Sequence, residues 1–262
     1  MSELLAIAAA AARTAAHLLR EARPEAIRAK GNPKDLVTEW DTRSEEAIRA
    51  VLAERTPGIP VLGEEAGGPD ATTATRRWIV DPIDGTVNFA HGLPIWCISI
   101  ALANGNDIEV GVVYAPRLGW WFEAAAGQGA FDASGAPLRV SAIDQIDRAL
   151  LATGFPYDMA TNPDNNFAEW AHMQRVASAC RRAGSAALDL CMVAAGWFDG
   201  YWERSTKAWD VAAGVLIVRE AGGRVTNTRG EAFDLYAEDV LATNGAIHEG
   251  LVAELGRVRP TT

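Results

Sequence analysis

The chain has 262 residues, of which 34 are acidic and 24 basic, for a net charge of −10. That length buries a substantial core in one large domain or two small ones, and 49% hydrophobic residues is an ordinary globular balance. The acidic excess argues against nucleic acid as the main partner, and any anionic substrate needs bound cations to reverse the local field.

Residues 3–22 are rich in strong helix formers and predict a helix that ends before Pro24. Glu3 and Arg13 interrupt it, and no basic start precedes an apolar core, so it reads neither as a signal peptide nor as a membrane span. A polar loop, Lys30-Gly31-Asn32-Pro33-Lys34, leads into Asp35-Leu36-Val37-Thr38-Glu39-Trp40-Asp41. Taken alone, Asp41 is an N-cap for a helix over residues 42–55. The loop Pro57-Gly58-Ile59-Pro60 precedes a short strand at Val61-Leu62. Gly63-Glu64-Glu65-Ala66-Gly67-Gly68 follows and, by itself, reads as a solvated turn.

Residues 78–94, WIVDPIDGTVNFAHGLP, carry the most chemistry. Trp78-Ile79-Val80 predicts a buried strand that delivers Asp81 to its end. Pro82, with fixed φ and no N–H, is expected to stop it. Asp84 arrives three residues after Asp81. Two carboxylates on a stiff turn can converge on one hard cation such as Mg²⁺, which takes oxygen ligands in tight geometry. Gly85 permits close backbone approach, and the N–H groups opening the next helical turn face an anion. A bare pair of aspartates says little, because Asp, Pro and Gly are common turn residues. The full DPIDGT after an apolar run says more. An aspartyl-phosphate enzyme of the haloacid dehalogenase kind needs D-x-D-G-T, and the two residues between Asp81 and Asp84 do not fit that spacing.

A buried strand over 95–103, a hairpin turn at Asn104-Gly105-Asn106 and a return over 108–114 begin an antiparallel meander. Strands at 120–123 and after Gly127–Gly129 continue it. From Ala149 onward short strands alternate with helical patterns. The reading there is a helix at 186–195, a strand at 198–202, a helix at 211–220, a strand at 240–243 and a helix at 246–255. Asp210 alone reads as an N-cap, and Gly222-Gly223 stops its helix. No repeat or linker divides the chain. The expectation is one layered α/β (α+β) domain, with an N-terminal half at 1–145 and a C-terminal half at 146–262. Cys97, Cys180 and Cys191 show neither metal spacing nor a disulfide framework, which suggests a reducing, cytoplasmic setting. Cys97 and the nine tryptophans read as core or dimer packing.

Taken together and in order, Asp41, Gly63-Glu64-Glu65, DPIDGT and Trp209-Asp210-x-x-Ala213-Gly214 resemble the motif set of the inositol monophosphatase family. The resemblance runs from Asp35-Leu36-Val37-Thr38 to Ala242-Thr243-Asn244. It implies a layered α-β-α-β-α fold and lithium-sensitive, Mg²⁺-dependent hydrolysis of a phosphomonoester by water, with no covalent intermediate. Also implied are a homodimer, no membrane partner and two to three Mg²⁺ per site. Glu64, Asp81 and the Ile83 carbonyl hold one ion on this resemblance; Asp81, Asp84 and Asp210 hold a second, and a weaker third leans on Glu64.

Thr86 with Asp41 matches the family's water-activating pair, the Gly85 and Thr86 N–H groups match its phosphate contacts, and Lys30 matches a lysine near the site. Asp84, Gly184, Ser185, Ala186, Glu203 and Asp210 match positions facing the sugar. The implied substrate is a small phosphorylated polyol, inositol 1-phosphate first; histidinol phosphate, fructose bisphosphate and nucleotide 3′-phosphates are the alternatives. Asn88-Phe89-Ala90-His91-Gly92 resembles the inositol-phosphatase version, with His91 a structural loop residue. Arg204-Ser205-Thr206-Lys207 departs from the family pattern, and its two cations are expected to favour a more anionic substrate. A regulatory binding role on the same fold is the competing class. The intact carboxylates and the lack of a basic stripe favour an enzyme.

Overall fold

Strand β4 (Arg76–Asp84) shows how the layers arise, because its apolar residues supply two different cores. The computed structural model describes residues 3–69 and 76–258. Successive side chains of a strand point to opposite faces. Trp78 and Val80 accordingly pack in one cluster, and Ile79 packs in another. A strand buried on both faces must lie inside a sandwich.

On the Trp78 side lie α1 (Glu3–Leu19) and α2 (Glu39–Arg55). They cover a six-stranded sheet ordered β3-β4-β5-β6-β7-β8. Its other members are β3 (Val61–Gly63), β5 (Cys97–Asn104), β6 (Asp107–Ala115), β7 (Trp120–Ala125) and β8 (Ala130–Asp132). Only β3 runs parallel to its neighbour; the remainder is the expected meander. Between β1 (Ile27–Ala29) and β2 (Leu36–Thr38), a small antiparallel ribbon, runs the loop containing Lys30. A one-turn helix, α3 (Thr86–Ala90), follows β4.

The Ile79 face packs on α5 (Ala186–Ala194) and α6 (Ala208–Glu220), which form the middle layer. Their other side meets a five-stranded sheet ordered β10-β9-β11-β13-β12. It comprises β9 (Leu150–Thr153), β10 (Ala179–Arg181), β11 (Gly200–Arg204), β12 (Arg224–Thr226) and β13 (Asp239–Thr243). Tyr201 of β11 points into the middle layer. Its neighbour Trp202 points to the outer cluster under α4 (Phe167–Val176) and α7 (His248–Gly256). The order of layers is therefore α-β-α-β-α.

The ends of several elements differ from the sequence reading. The first helix stops at Leu19, three residues short of the expected end. The helix read from 42 begins at Glu39 with Thr38 as its cap, and the helix read from 211 begins at Ala208. Asp41 and Asp210 are thus the third residues of their helices, in the first turn, and not N-caps, and each accepts a hydrogen bond from the cap residue's N–H. A difference of another kind is at Pro82, which does not stop β4. The strand continues to Asp84 through a register shift, with Asp81 opposite Ser99 and Asp84 opposite Cys97. Pro82 sits inside that bulge, where its missing N–H costs no ladder bond.

Candidate active site

The bulge decides where the first two acids point. Residues three apart on a regular strand face opposite sides; one extra residue returns Asp81 and Asp84 to the same side. Asp81 is 2% exposed, and its Oδ1 accepts from Ile83 N at 2.9 Å. Asp84 reaches across to the start of α5. Its Oδ2 accepts from Ser185 Oγ at 2.6 Å and Ala187 N at 2.7 Å, while Oδ1 accepts from Ala186 N at 3.3 Å. Carboxylates are favoured at such helix starts, where N–H groups lack partners within the helix. Asp210 exploits the same preference on α6, its Oδ2 accepting from Lys207 N at 2.7 Å.

Helix α2 adds Asp41 from the opposite layer. Asp41 Oδ2 accepts from Thr38 N at 2.8 Å and Thr38 Oγ1 at 2.6 Å, a reciprocal cap that fixes the carboxylate plane. Its Oδ1 is left to accept from Thr86 Oγ1 at 3.0 Å, and the Ile83 carbonyl lies equally close to that hydroxyl at 3.0 Å. Gly85, at φ 96°, turns the chain between Asp84 and Thr86; a β-carbon there would meet Gly184 O at 3.1 Å.

Glu64 completes the group from the turn after β3, anchored by its N–H to Val80 O at 3.2 Å. Burial is the largest cause raising the proton affinity of Asp81, Asp84, Asp210 and Glu64, and on Asp81 the neighbouring Glu64, Asp84, Asp210 and Asp41 charges add to it. Lys30 answers part of that charge. Its Nζ lies 2.8 Å from Glu64 Oε1 and 2.5 Å from Glu65 Oε1. Burial works to lower the Lys30 pKa, but the two glutamates outweigh it and hold the ammonium firmly protonated. Among the described residues no three His, Cys, Asp or Glu side chains converge as a preformed ligand cage. The acids are electrostatic neighbours around a corner that already takes one cation. Their oxygen-only chemistry and shared charge fit a hard divalent ion.

The cleft beside this corner has a volume of about 260 Å³ and is lined by Lys30, Glu64, Asp84–Val87, Thr153–Tyr157 and Gly184–Ala186, among others. Comparison with known proteins gives the same picture. The profile described as the inositol monophosphatase family matches residues 1–259. The chain belongs to that family. It is 44% identical over 225 residues to an inositol-1-monophosphatase of Synechocystis sp., an alignment covering 86% of this chain and 78% of that one. It is 40% identical to the chloroplastic phosphatase IMPL1 of Arabidopsis thaliana, covering 100% of this chain and 71% of that one. The solved inositol monophosphatase of Anabaena (Nostoc) superposes with a TM-score of 0.89 at 40% identity, covering 98% and 96% of the two chains.

In this member of the inositol monophosphatase family the far end of the cleft holds Glu203, whose Oε2 accepts from the Tyr201 hydroxyl. Burial pushes Glu203 up to about 7, opposed by the Tyr201 hydrogen bond and by the charge of Arg182. Opposite it lies Gly154, where a β-carbon would stand 2.0 Å from Glu203 Oε2. Gly184, Ser185 and Ala186 line the same wall, although the Ser185 hydroxyl is spent on Asp84.

Arg204 does not reach the cleft. Its guanidinium pairs with Asp164 at 2.6 Å and Glu169 at 2.6 Å, fastening α4 to β11. Lys207 lines the mouth but pairs with Glu238, so the expected two free cations are absent from this rim. His91 lies elsewhere, in a hollow with Arg23 and Arg117. Arg182, Tyr157 and Asp189 are among the cleft residues that escaped the sequence reading. Asp189 had a signal, a lone acid inside the apolar stretch Ala186–Ala194. It is 1% exposed, with Oδ1 unpartnered among the described residues, and burial raises its proton affinity strongly.

Proposed function

We propose that this chain hydrolyses the phosphomonoester of a small polyol, inositol 1-phosphate first, with water as nucleophile and magnesium as resident cofactor. The observation that carries the reading is the electrostatic proximity of Glu64, Asp81, Asp84 and Asp210, from three separate segments, beside the Thr86–Asp41 hydrogen bond. The Synechocystis and Anabaena relatives are likewise named as inositol monophosphatases, which supports the substrate. Glu64, Asp81 and the Ile83 carbonyl hold one ion in this reading; Asp81, Asp84 and Asp210 hold a second, and Glu64 a weaker third. Bound magnesium supplies positive charge toward the phosphate and Lewis acidity toward water.

The chain's own groups do the rest. Asp41 Oδ1 holds the Thr86 hydroxyl proton, so the Thr86 oxygen keeps lone pairs to accept from the attacking water. The N–H groups of Gly85 and Thr86 take phosphate oxygens, and Lys30 offsets the surplus carboxylate charge. Glu203 accepts two vicinal hydroxyls of the polyol against the Gly184–Ala186 wall.

Lithium inhibition, a homodimer and a cytoplasmic setting belong to the same reading. Three free, buried cysteines are consistent with a reducing setting, and among the described residues no helix is long and apolar enough to cross a membrane. A second anionic group on the substrate is favoured by Arg182, which lines the cleft with no hydrogen bond or ion pair among the described residues. Phosphate release from inositol 1-phosphate, histidinol phosphate, fructose 1,6-bisphosphate and a nucleotide 3′-phosphate, with Mg²⁺ and with chelator, tests the proposal. Release from inositol 1-phosphate that needs Mg²⁺ and falls in millimolar Li⁺ is expected. Release from none of the four, or release indifferent to chelator, overturns it.

A further inference from the structure

The turn that presents Glu64 and Glu65 is built around an ion pair from another element, with a buried carboxylate and a partly exposed guanidinium. Glu45, on the second turn of α2, is 1% exposed. Its Oε2 accepts from Glu65 N at 2.7 Å, and its Oε1 accepts from Ala66 N at 3.1 Å and from Arg49 Nε at 2.7 Å. The rest of the Arg49 fork donates to Val61 O at 3.1 Å and to Gly67 O, carbonyls on either side of the same turn. The carboxylate thus takes the N–H groups inside the turn, and the guanidinium takes the carbonyls that flank it.

Steric detail supports this arrangement. A β-carbon on Gly63 would fall 2.4 Å from Glu45 Oε1, so the carboxylate occupies the space a side chain would fill. A β-carbon on Gly68 would fall 2.4 Å from Val61 O. Neither Glu45 nor Arg49 lines the cleft. An ion pair with one buried and one partly exposed member contributes little net stability, because desolvation of the carboxylate and solvent screening of the guanidinium offset most of the attraction. What it does supply is fixed direction.

We propose that the Glu45–Arg49 pair is a positioning device that sets the placement of the Glu64 and Glu65 carboxylates, and through them the divalent-cation affinity of the centre. This rests on Glu64 being an ion ligand. Residues that orient metal ligands without touching the metal change affinity by about 10- to 100-fold when altered.

Mn²⁺ binding, followed by the electron paramagnetic resonance of the free ion, tests it alongside thermal unfolding. Glu45→Gln replaces one acceptor oxygen with an amide that cannot serve both the turn and the guanidinium. Arg49→Lys keeps the charge and loses the fork. Both variants are expected to raise the Mn²⁺ dissociation constant about 10- to 100-fold with helical content retained. Glu64→Gln is the comparator. Parent-like affinity in Glu45→Gln and Arg49→Lys, with affinity lost in Glu64→Gln, overturns the device and leaves the ligand reading standing. A lower melting temperature with parent-like affinity likewise overturns it. Parent-like affinity in all three, Glu64→Gln included, overturns both readings. If Glu45→Gln does not fold, Arg49→Lys and Gly63→Ala carry the test, with the same shift expected.

Discussion

At Gly154 the polyol end of the cleft depends on an absent methyl group. Glu203 fits against that glycine, so Gly154→Ala must displace the carboxylate rather than the backbone. Loss of one hydrogen bond to a charged group is worth about 1.5–3 kcal/mol, or roughly ten- to a hundredfold in kcat/KM. The expected outcome is a loss of that size on inositol 1-phosphate and little change on an aryl phosphate, read from steady-state kinetics on both. The same residue sets a pH limb. On the proposed reading Glu203, whose pKa burial raises to about 7, accepts polyol hydroxyls best when ionised, so kcat/KM for the polyol substrate should fall as pH drops below about 7. The Tyr201 hydrogen bond favours the ionised form. Tyr201→Phe should therefore move the limb to higher pH, while an unmoved limb would assign it to another group.

Between elements, the deciding contacts are polar ties rather than apolar area. Arg204 faces Glu169, which is 5% exposed, and Asp164, whose side chain is mostly in solvent. Removing the guanidinium leaves a buried carboxylate unpaired, at about 3–5 kcal/mol, whereas the exposed partner matters little. Arg204→Gln should lower the melting temperature and leave substrate preference unchanged. Arg182→Gln should do the reverse, weakening a bisphosphate more than a monophosphate. Equal specificity changes in the two would return Arg204 to the cleft.

His248 ties α7 to β12 and β13, between Thr226 at 3.0 Å and Thr243 at 2.9 Å. Thr226 donates to Asn227 O, so it accepts from Nε2–H, and Thr243 donates to Nδ1. A second ring proton would have to turn away the Thr243 O–H that donates to Nδ1, and burial lowers the pKa to about 4. Above pH 6.5 the ring is neutral folded or unfolded. Between 6.5 and 4 only the unfolded chain takes the proton, which costs at most roughly 1.4 kcal/mol per pH unit. Melting temperature should fall with pH across that window, and His248→Gln should flatten the slope.

Much at this scale was legible in the sequence. The meander, the middle helices and the order of the acidic motifs follow from apolar runs and turn residues. Pro82 and the two apparent N-caps were misread because local rules describe a strand or helix start alone. At Pro82 a neighbouring strand absorbs the extra residue, and Thr38 and Lys207 take the cap positions. Arg204 was misplaced for a related reason, since its partners, Glu169 on α4 and Asp164 just before it, lie 35 to 40 residues earlier in the chain.

For the whole molecule the like charges of the centre oppose folding, and a cation reverses that. Because desolvation and mutual repulsion raise Asp81 so strongly, Asp81→Asn should abolish turnover yet melt no lower than the parent in chelator. Adding Mg²⁺ should raise the parent's melting temperature by mass action and leave Asp81→Asn nearly unmoved. Differential scanning calorimetry with and without Mg²⁺ checks both, and an equal rise in both proteins would remove Asp81 from the ligand set.

The hydrogen bonds from Ser185 and Ala187 to Asp84 have a consequence in time as well as in space. Asp84 belongs to the six-stranded sheet, yet its partners open a helix packed on the other one. A chain that had formed each sheet separately would own most of its secondary structure and no pocket. The pocket appears only when the two sheets dock, so on the proposed reading cation binding reports that the docking is complete.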